Sequence, residues 1–543
     1  MLNPEFLASL PEAILKLFYA AERQILVDMA RKIVKYDYYV PSAEYQRQKL
    51  REAGVMQDEI LTALAKLTRR SEEELRQMMQ EACGTSLRGD TAIYEAAGLT
   101  VPSIGDNGIL RQILNAGYKA TAQTMRNLCK TTARTAAQQF ENALDGAWLK
   151  VHSGAFDSET AIRSAIKDLS QKGIQAIRYP SGRTDSLETS VRRAVVTGVN
   201  QTSAQLQEEL ADELDCDLVE VSAHAGARPE HAVWQGRIFS RSGTHPKYPD
   251  FKAATGYGRV DGLCGANCRH TFGPYIEGSP PVWSEEELKK LDDPKYEYNG
   301  QKLTEYEASQ IQRNNERQIR RWQREYAAME AAGLDTSEAA TKIRHWQEEQ
   351  NAFLKETGLE RQYDREFIGQ FDYAHINEVD RQAEKFYQEW SKSMGVNDAI
   401  KTLAKYYDVK YNDSPRYELL KDYVNSVESG RMSPITHFDL YESHYGWIQR
   451  EIVGTTVNGI EIKGQTAHFL ERVFGTGQDP KTGKPRNGVT LEEIADCLKN
   501  PVHIAPTRID SLGRKSFVVV GRTAKVSINA DTGLLIQTNP WSE

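Results

Sequence analysis

The chain has 543 residues, room for three to five domains at roughly 100–200 residues each. Its 68 Lys+Arg against 76 Asp+Glu give a formal net charge of −8, which excludes a strongly basic, histone-like binder but not local basic faces. No run approaches the roughly 18 apolar residues that span a bilayer; the best, Ala13 to Ala21, is broken by Lys16, and the N-terminus lacks the features of a secretory signal. Among six cysteines only Cys264 and Cys268 are close in sequence, which fits a reducing compartment and argues against a disulfide scaffold.

Residues 1–150 read as a helical arm. Phe6, Leu10, Ile14 and Phe18, then Ile60, Leu64 and Leu67, recur at three- and four-residue spacing. Aromatics and Pro41 interrupt the pattern between Tyr36 and Tyr45. Ser71 with Glu74 predicts a capping box opening a helix Glu72–Cys83, with Gly84 as its stop. A loop is expected over Leu99–Asp106, then a long helix from Gly108 to Gly154 bent near Gly117. Further helix is expected over Ser158–Gly173 and Asp185–Leu214, within a segment 151–282.

The chemistry changes at Cys216. Asp217–Ser222 is β-like, and from there to Gly278 Gly and Pro alternate with His, Cys and aromatics, which disfavours regular helix. A loop-rich stretch this long needs something to hold it. Two readings of its residues stand side by side. In one, His231, Cys264, Cys268 and His270 bind a structural zinc, since Cys-x3-Cys is inside the spacing of a zinc knuckle, with His224 as a spare ligand. In the other, the cysteines are small buried groups and the histidines and Arg228 hydrogen-bond loop carbonyls.

Helix returns at Ser284, capped with Glu287. Leu303–Ala332 and Ser337–Thr357, parted by Gly333-Leu-Asp335, predict an αα-hairpin within residues 283–370. On its first arm Arg313, Arg317, Arg320, Arg321 and Arg324 recur on one helical face, the pattern of a nucleic-acid-binding stripe. Against that stands a solvated helix laced with ion pairs, because residues 313–349 carry seven basic and seven acidic side chains. Residues 371–455 are mixed and aromatic-rich, with no assigned element. The module 456–543 is expected to be α+β. It has a helix over Gly464–Val473, a loop Gly475–Gly488 and a helix capped by Thr490 and Glu493. An antiparallel meander of Ser516–Val520, Ala524–Ile528 and Leu534–Thr538 closes it. Over Pro506–Lys525 it carries five basic residues against Asp510. The fold class is therefore mainly α and multi-domain, with a loop-rich Gly/Cys/His core and a small C-terminal α+β domain.

Several spaced strings are specific. Tyr179-Pro-Ser-Gly-Arg183, Ser190-Val-Arg-Arg-Ala-Val-Val-Thr-Gly-Val-Asn-Gln201 and Ala223-His-Ala-Gly-Ala-Arg-Pro-Glu-His231 resemble the tailed-phage minor capsid protein family (phage minor capsid protein 2). So do Trp234-Gln-Gly236, Gly262-Leu-Cys-Gly-Ala-Asn-Cys-Arg-His270 and the helical stretch from Tyr298 to Gln362. That family is similar to the head-morphogenesis proteins of the phage Mu type. The resemblance implies a structural protein of the virion, inside the head or at the portal vertex, assembled in the bacterial host cytoplasm. Its implied partners are the portal, other head proteins and packaged DNA.

A second resemblance covers the end of the chain. His468-Phe-Leu-Glu-Arg472, Leu498-Lys-Asn-Pro501, Gly513-Arg-Lys-Ser516, Asn529-Ala-Asp-Thr-Gly533 and Gln537-Thr-Asn-Pro540 are similar to nuclease-like toxin domains of the barnase, EndoU, colicin and RelE type. It implies metal-independent RNA cleavage, which needs an acid–base group and cations at the phosphate. His468 would be acid or base, Arg514 and Lys525 would hold the phosphate, and Ser516 or Thr538 would hydrogen-bond it. Under this alternative the protein is a toxin delivered with phage DNA. A degenerate, purely binding version of the domain fits the same strings.

Overall fold

A computed structural model describes residues 1–154, 156–369, 372–475, 483, 486–511 and 513–542. It is mainly helical, with a small sheet near the C-terminus. The chain divides into two compact units, Met1–Ala374 and His375–Glu543.

The first unit is built on long helices: Glu12–Lys35, Ser42–Ala96, Gly108–His152, Ser158–Lys172 and Leu187–Glu213. The Ser42–Ala96 helix runs without a break through the expected start at Ser71 and the expected stop at Gly84. Its apolar stripe decides this. Ile60, Leu64, Leu75, Met79 and Ala82 keep helical spacing across Ser71 and are buried in one cluster with Met125, Leu128, Ala133, Ala136 and Phe140 of the Gly108–His152 helix, and Cys83 and Leu87 carry the stripe past Gly84 against Leu110. Ser71 is interior and donates its hydroxyl to the Thr68 carbonyl at 2.9 Å, a local bond that a mid-helix serine can make. The Gly108–His152 helix is likewise continuous through Gly117. There it meets the Leu187–Glu213 helix at a close crossing, where a Cβ on Gly117 would overlap Thr202 and one on Gly198 would overlap Thr121. A short hairpin, Gln175–Arg178 with Thr184–Ser186, precedes that second helix.

The strand expected after Cys216 is Leu218–Val221, the centre of a three-stranded antiparallel sheet between Ile238–Ser240 and Phe272–Pro274. All four of its residues are buried. Glu305–Ala331 and Ser337–Thr357 form the expected hairpin, and the first carries a complete Thr304/Glu307 capping box.

In the second unit the unassigned stretch is helical: Tyr373–Met394 at the boundary, Leu403–Asn412, Ser414–Glu428 and Phe438–Glu451. The terminal sheet holds Lys515–Val520, Ala524–Asn529 and Leu534–Pro540 as an antiparallel meander. Gly464–Gln465 adds in parallel at one edge, and His503–Ile504 with Arg508–Ile509 pair at the other. Helices Ala467–Val473 and Leu491–Lys499 share one apolar cluster with Phe517, Val519, Val526, Ile528 and Leu535. Most of the expected loop Gly475–Gly488 lies outside the described residues.

Candidate metal centre

The Gly-rich segment folds around its histidines. His231 lies on a single helical turn, Pro229–Ala232, while Cys268 and His270 lead into the Phe272–Pro274 strand. The loop between is tight. A Cβ on Gly265 would stand 2.8 Å from the Arg259 and Gly262 carbonyls and nearer still to that of Val260, which requires glycine there. From the Leu187–Glu213 helix, the buried Asn200 amide donates to the carbonyls of Cys268 and His270 at 2.9 and 3.0 Å. It thereby fixes the backbone on which both ligands sit.

Three side chains converge. Cys268 Sγ is 3.7 Å from His231 Nδ1 and 3.7 Å from His270 Nδ1, and all three ligand atoms lie within 4.8 Å of one another. A tetrahedral zinc with its usual bond lengths separates a thiolate sulfur from an imidazole nitrogen by about 3.6 Å. The outer nitrogens set the tautomers. His231 Nε2 faces the Asp261 carbonyl at 3.0 Å, an acceptor only, so it carries the proton. His270 Nε2 faces Gln235 Oε1 at 3.1 Å, the same oxygen that accepts the His224 amide at 3.1 Å. Both Nδ1 atoms therefore turn lone pairs toward one sulfur, and a thiol has a single proton to offer them. A cation satisfies all three, and tying the outer nitrogen of each histidine is how metal-bound imidazoles are held.

Burial, then His224, His231 and the arginines nearby, push His270 far below the ordinary range. Burial and Arg269 lower His224 to about 4, and burial lowers His231. The imidazoles are thus neutral, the form that binds metal. Burial raises the Cys268 thiol.

Cys264 is not part of the converging set. Its sulfur is buried and engages the His270 carbonyl at 3.7 Å. His224 stacks on His270, with ring centroids 4.4 Å apart, and its Nδ1 is 2.8 Å from the Ala225 carbonyl. Arg228 donates to the Ala266 carbonyl at 3.0 Å. This is the carbonyl bonding the second reading calls for, and it coexists with the three-ligand cluster. Asn200, Gln235 and the Asp261 carbonyl carry no local sequence signal for their roles. A cavity of about 310 Å³ opens onto the cluster, and arginines from three elements line it.

The arginine series does not present one face to solvent. Arg320 is 2% exposed and grips Glu188 through two bonds of 2.9 and 2.7 Å. Arg324 donates to the Ser170 carbonyl at 3.2 Å and lies 3.7 Å from Glu22. Arg321 reaches Gln318 and stacks over Trp322, Arg313 is half-buried in the cavity wall, and Arg317 is exposed. The five side chains are divided between buried, half-buried and exposed positions. Two of its arginines, Arg320 and Arg324, turn inward to Glu188 and Glu22 of neighbouring helices, while Arg317 alone of the five is exposed.

The phage minor capsid protein 2 family model matches residues 2–355, which covers nearly all of the first unit. The chain belongs to that family. It is also 29% identical over 241 residues to a structural protein of Lactococcus phage LL-H, covering 42% of this chain and 62% of that protein. A structural protein of Lactococcus phage mv4 is 36% identical over 127 residues, covering 23% of this chain and 94% of that protein. The chain thus spans less than two thirds of the first relative's length and nearly all of the second's. No solved structure matches. The metal cluster lies within the span of the minor capsid match, and the C-terminal unit lies outside it.

That unit does not assemble the expected cleavage set. Val526 and Ile528 face the helices, while Lys525, Ser527 and Asn529 alternate to the opposite face, and Ser516 joins them through its pairing with Asn529. Thr538 is paired with Val526 on the buried face, is 0% exposed, and donates to the Lys525 carbonyl at 3.0 Å. Its hydroxyl is spent and out of reach of a phosphate. His468 stands on the helix layer, its Nδ1 3.0 Å from the buried Glu471, which also accepts from Ser426 at 2.7 Å and Arg431 at 2.8 Å. Arg514 pairs with Asp510 at 2.7 Å, beside the end of its strand opposite Lys525. Strand alternation thus puts the sheet residues on one face and His468 with Thr538 on the other.

Proposed function

We propose that the protein is a minor structural component of a tailed-phage head, placed inside the capsid by the portal vertex, with its Gly-rich core clamped by one zinc ion at His231, Cys268 and His270. The observation that carries the structural role is the family match across residues 2–355. The converging Nδ1, Nδ1 and Sγ atoms support the clamp: they draw together the helical turn, the Gly-rich loop and the sheet. Two imidazoles and a thiolate suit zinc above the hard, oxygen-seeking cations. The head proteins, the portal first, are the partners on this reading. The inward-facing arginine series and the divided C-terminal set lend no support to DNA contact or RNA cleavage.

The test is quantitative mass spectrometry of purified particles from the phage or prophage encoding the chain, with cross-linking. The chain is expected at few copies per particle, cross-linked to the portal. Its absence from DNA-filled particles, or tRNA cleavage by the full chain that H468A abolishes, overturns the reading.

A further inference from the structure

The cavity over the cluster carries more positive charge than its walls neutralise. Among the arginines lining it, Arg192 is paired with Glu12 at 2.7 Å. The one lining glutamate, Glu305, is held by Lys295 at 2.6 Å. Among the described residues the other three arginines make no salt bridge to a carboxylate. Arg228 and Arg269 touch only carbonyls and the His224 ring, at 3.0 to 3.4 Å. Arg313 has no hydrogen bond or ion pair among the described residues. It is half-buried, and burial with the nearby Arg365, Arg269 and Arg192 outweighs Glu316 and brings it down to about 10. Leaving a guanidinium desolvated among like charges is costly unless an anion shares the space.

The cluster bounds the same cavity through His231, Cys268 and His270. Three protein ligands leave a tetrahedral zinc one open position. The segments that meet here come from the Gly-rich core and the Glu305–Ala331 helix, so the arrangement is a built concavity rather than a basic surface patch. A carboxylate would answer only one of the three free charges. A dianionic tetrahedral oxyanion offers enough acceptors for planar guanidinium forks and a further oxygen for the metal.

We propose that this cavity is a binding site for a phosphate-class oxyanion, held by Arg228, Arg269 and Arg313 with one oxygen at the open position of the metal. The zinc contact rests on the metal reading above; the arginine contacts do not. The source is a free phosphate ion or the phosphate of a small monoester, since a cavity of about 310 Å³ admits either.

The experiment is isothermal titration of the full chain with inorganic phosphate and with a nucleoside 5′-monophosphate at fixed ionic strength, with metal content measured on the same samples. Saturable binding is expected, weakened at least tenfold by R313Q and unchanged by R317Q, whose side chain is exposed outside the cavity. R228Q, at an exposed position, gives the same loss should R313Q fail to fold. Tighter binding of the monophosphate assigns the site to monoesters, and equal binding assigns it to the free ion; both support the proposal. No saturable binding to metal-loaded protein, or binding that R313Q and R228Q leave intact, overturns it. R313Q-sensitive binding to a metal-free chain that takes up no zinc refutes the zinc clamp and leaves the anion site standing.

Discussion

Replacing Arg320 by Met separates a structural arginine from a nucleic-acid-binding one. The guanidinium is 2% exposed, makes bonds of 2.9 and 2.7 Å to Glu188, donates to the Arg365 carbonyl, and lies over the Tyr19 ring at 5.1 Å. Burial pushes Glu188 upward, and Arg320 with Tyr19 and Arg192 outweighs it, leaving the carboxyl below its ordinary range. Met keeps most of the volume and removes the charge. Breaking a buried pair by deleting one partner costs about 3–5 kcal/mol. Glu188 keeps 25% of its side chain exposed and retains Arg192 nearby, which sets the expectation at the low end, about 3 kcal/mol. The double variant R320M/E188M leaves no orphaned charge and recovers most of that loss. R317M, at an exposed position, stays within about 0.5 kcal/mol of the parent. Because two compact units make whole-chain unfolding non-two-state, the assay is hydrogen exchange of the Glu305–Ala331 amides along a urea series. Equal losses in R320M and R317M, or no recovery in the double variant, refute the reasoning.

Burial raises Glu325 to about 7 despite Lys167, so folding retains a proton there that the unfolded chain has shed. Its contribution to stability therefore falls as pH rises from 4.5 to about 7, by at most about 3 kcal/mol. E325Q flattens that slope in pH-dependent denaturation and gains on the parent above pH 7, since Lys167 keeps Glu338 at 2.7 Å. A parallel shift at all pH values contradicts this. G265A, driven into three backbone carbonyls, lowers the stability of the first unit by about 2–3 kcal/mol in the same exchange assay. In the second unit H468A removes one of the donors to Glu471 and costs about 1 kcal/mol, while E471A strands the buried Ser426 hydroxyl, the Arg431 guanidinium being exposed to water, and costs about 2 kcal/mol. Thermal melts of the two variants rank them. For zinc uptake, C264S retains the metal and C268S loses it, as read by elemental analysis after dialysis.

Periodic features were legible in the sequence, and features decided by distant partners were not. The amphipathic repeats located the helical arm and the Glu305–Ala331 and Ser337–Thr357 hairpin. Ser71 and Glu74 have the spacing of a capping box, yet the apolar stripe runs on through Leu75 and Met79, and packing against a neighbouring helix outweighs a local capping preference. Cys264 and Cys268 look equivalent by spacing. They are told apart by the loop, whose path brings only Cys268 to His231 and His270. The groups that fix those histidines, Asn200 and Gln235, are ordinary polar residues whose roles arise only from folding. The arginine repeat did not reveal that Arg320 is buried on Glu188 while Arg317 is exposed, because periodicity shows the spacing of side chains and not whether water or a carboxylate lies opposite.

The account turns on the centre at His231, Cys268 and His270, and X-ray absorption at the zinc edge of the metal-loaded full chain tests it most directly. The expected shell has one sulfur at about 2.3 Å, two imidazole nitrogens at about 2.0–2.1 Å and one light-atom ligand from outside the protein. A shell with two sulfurs, or a chain that takes up no zinc, contradicts it.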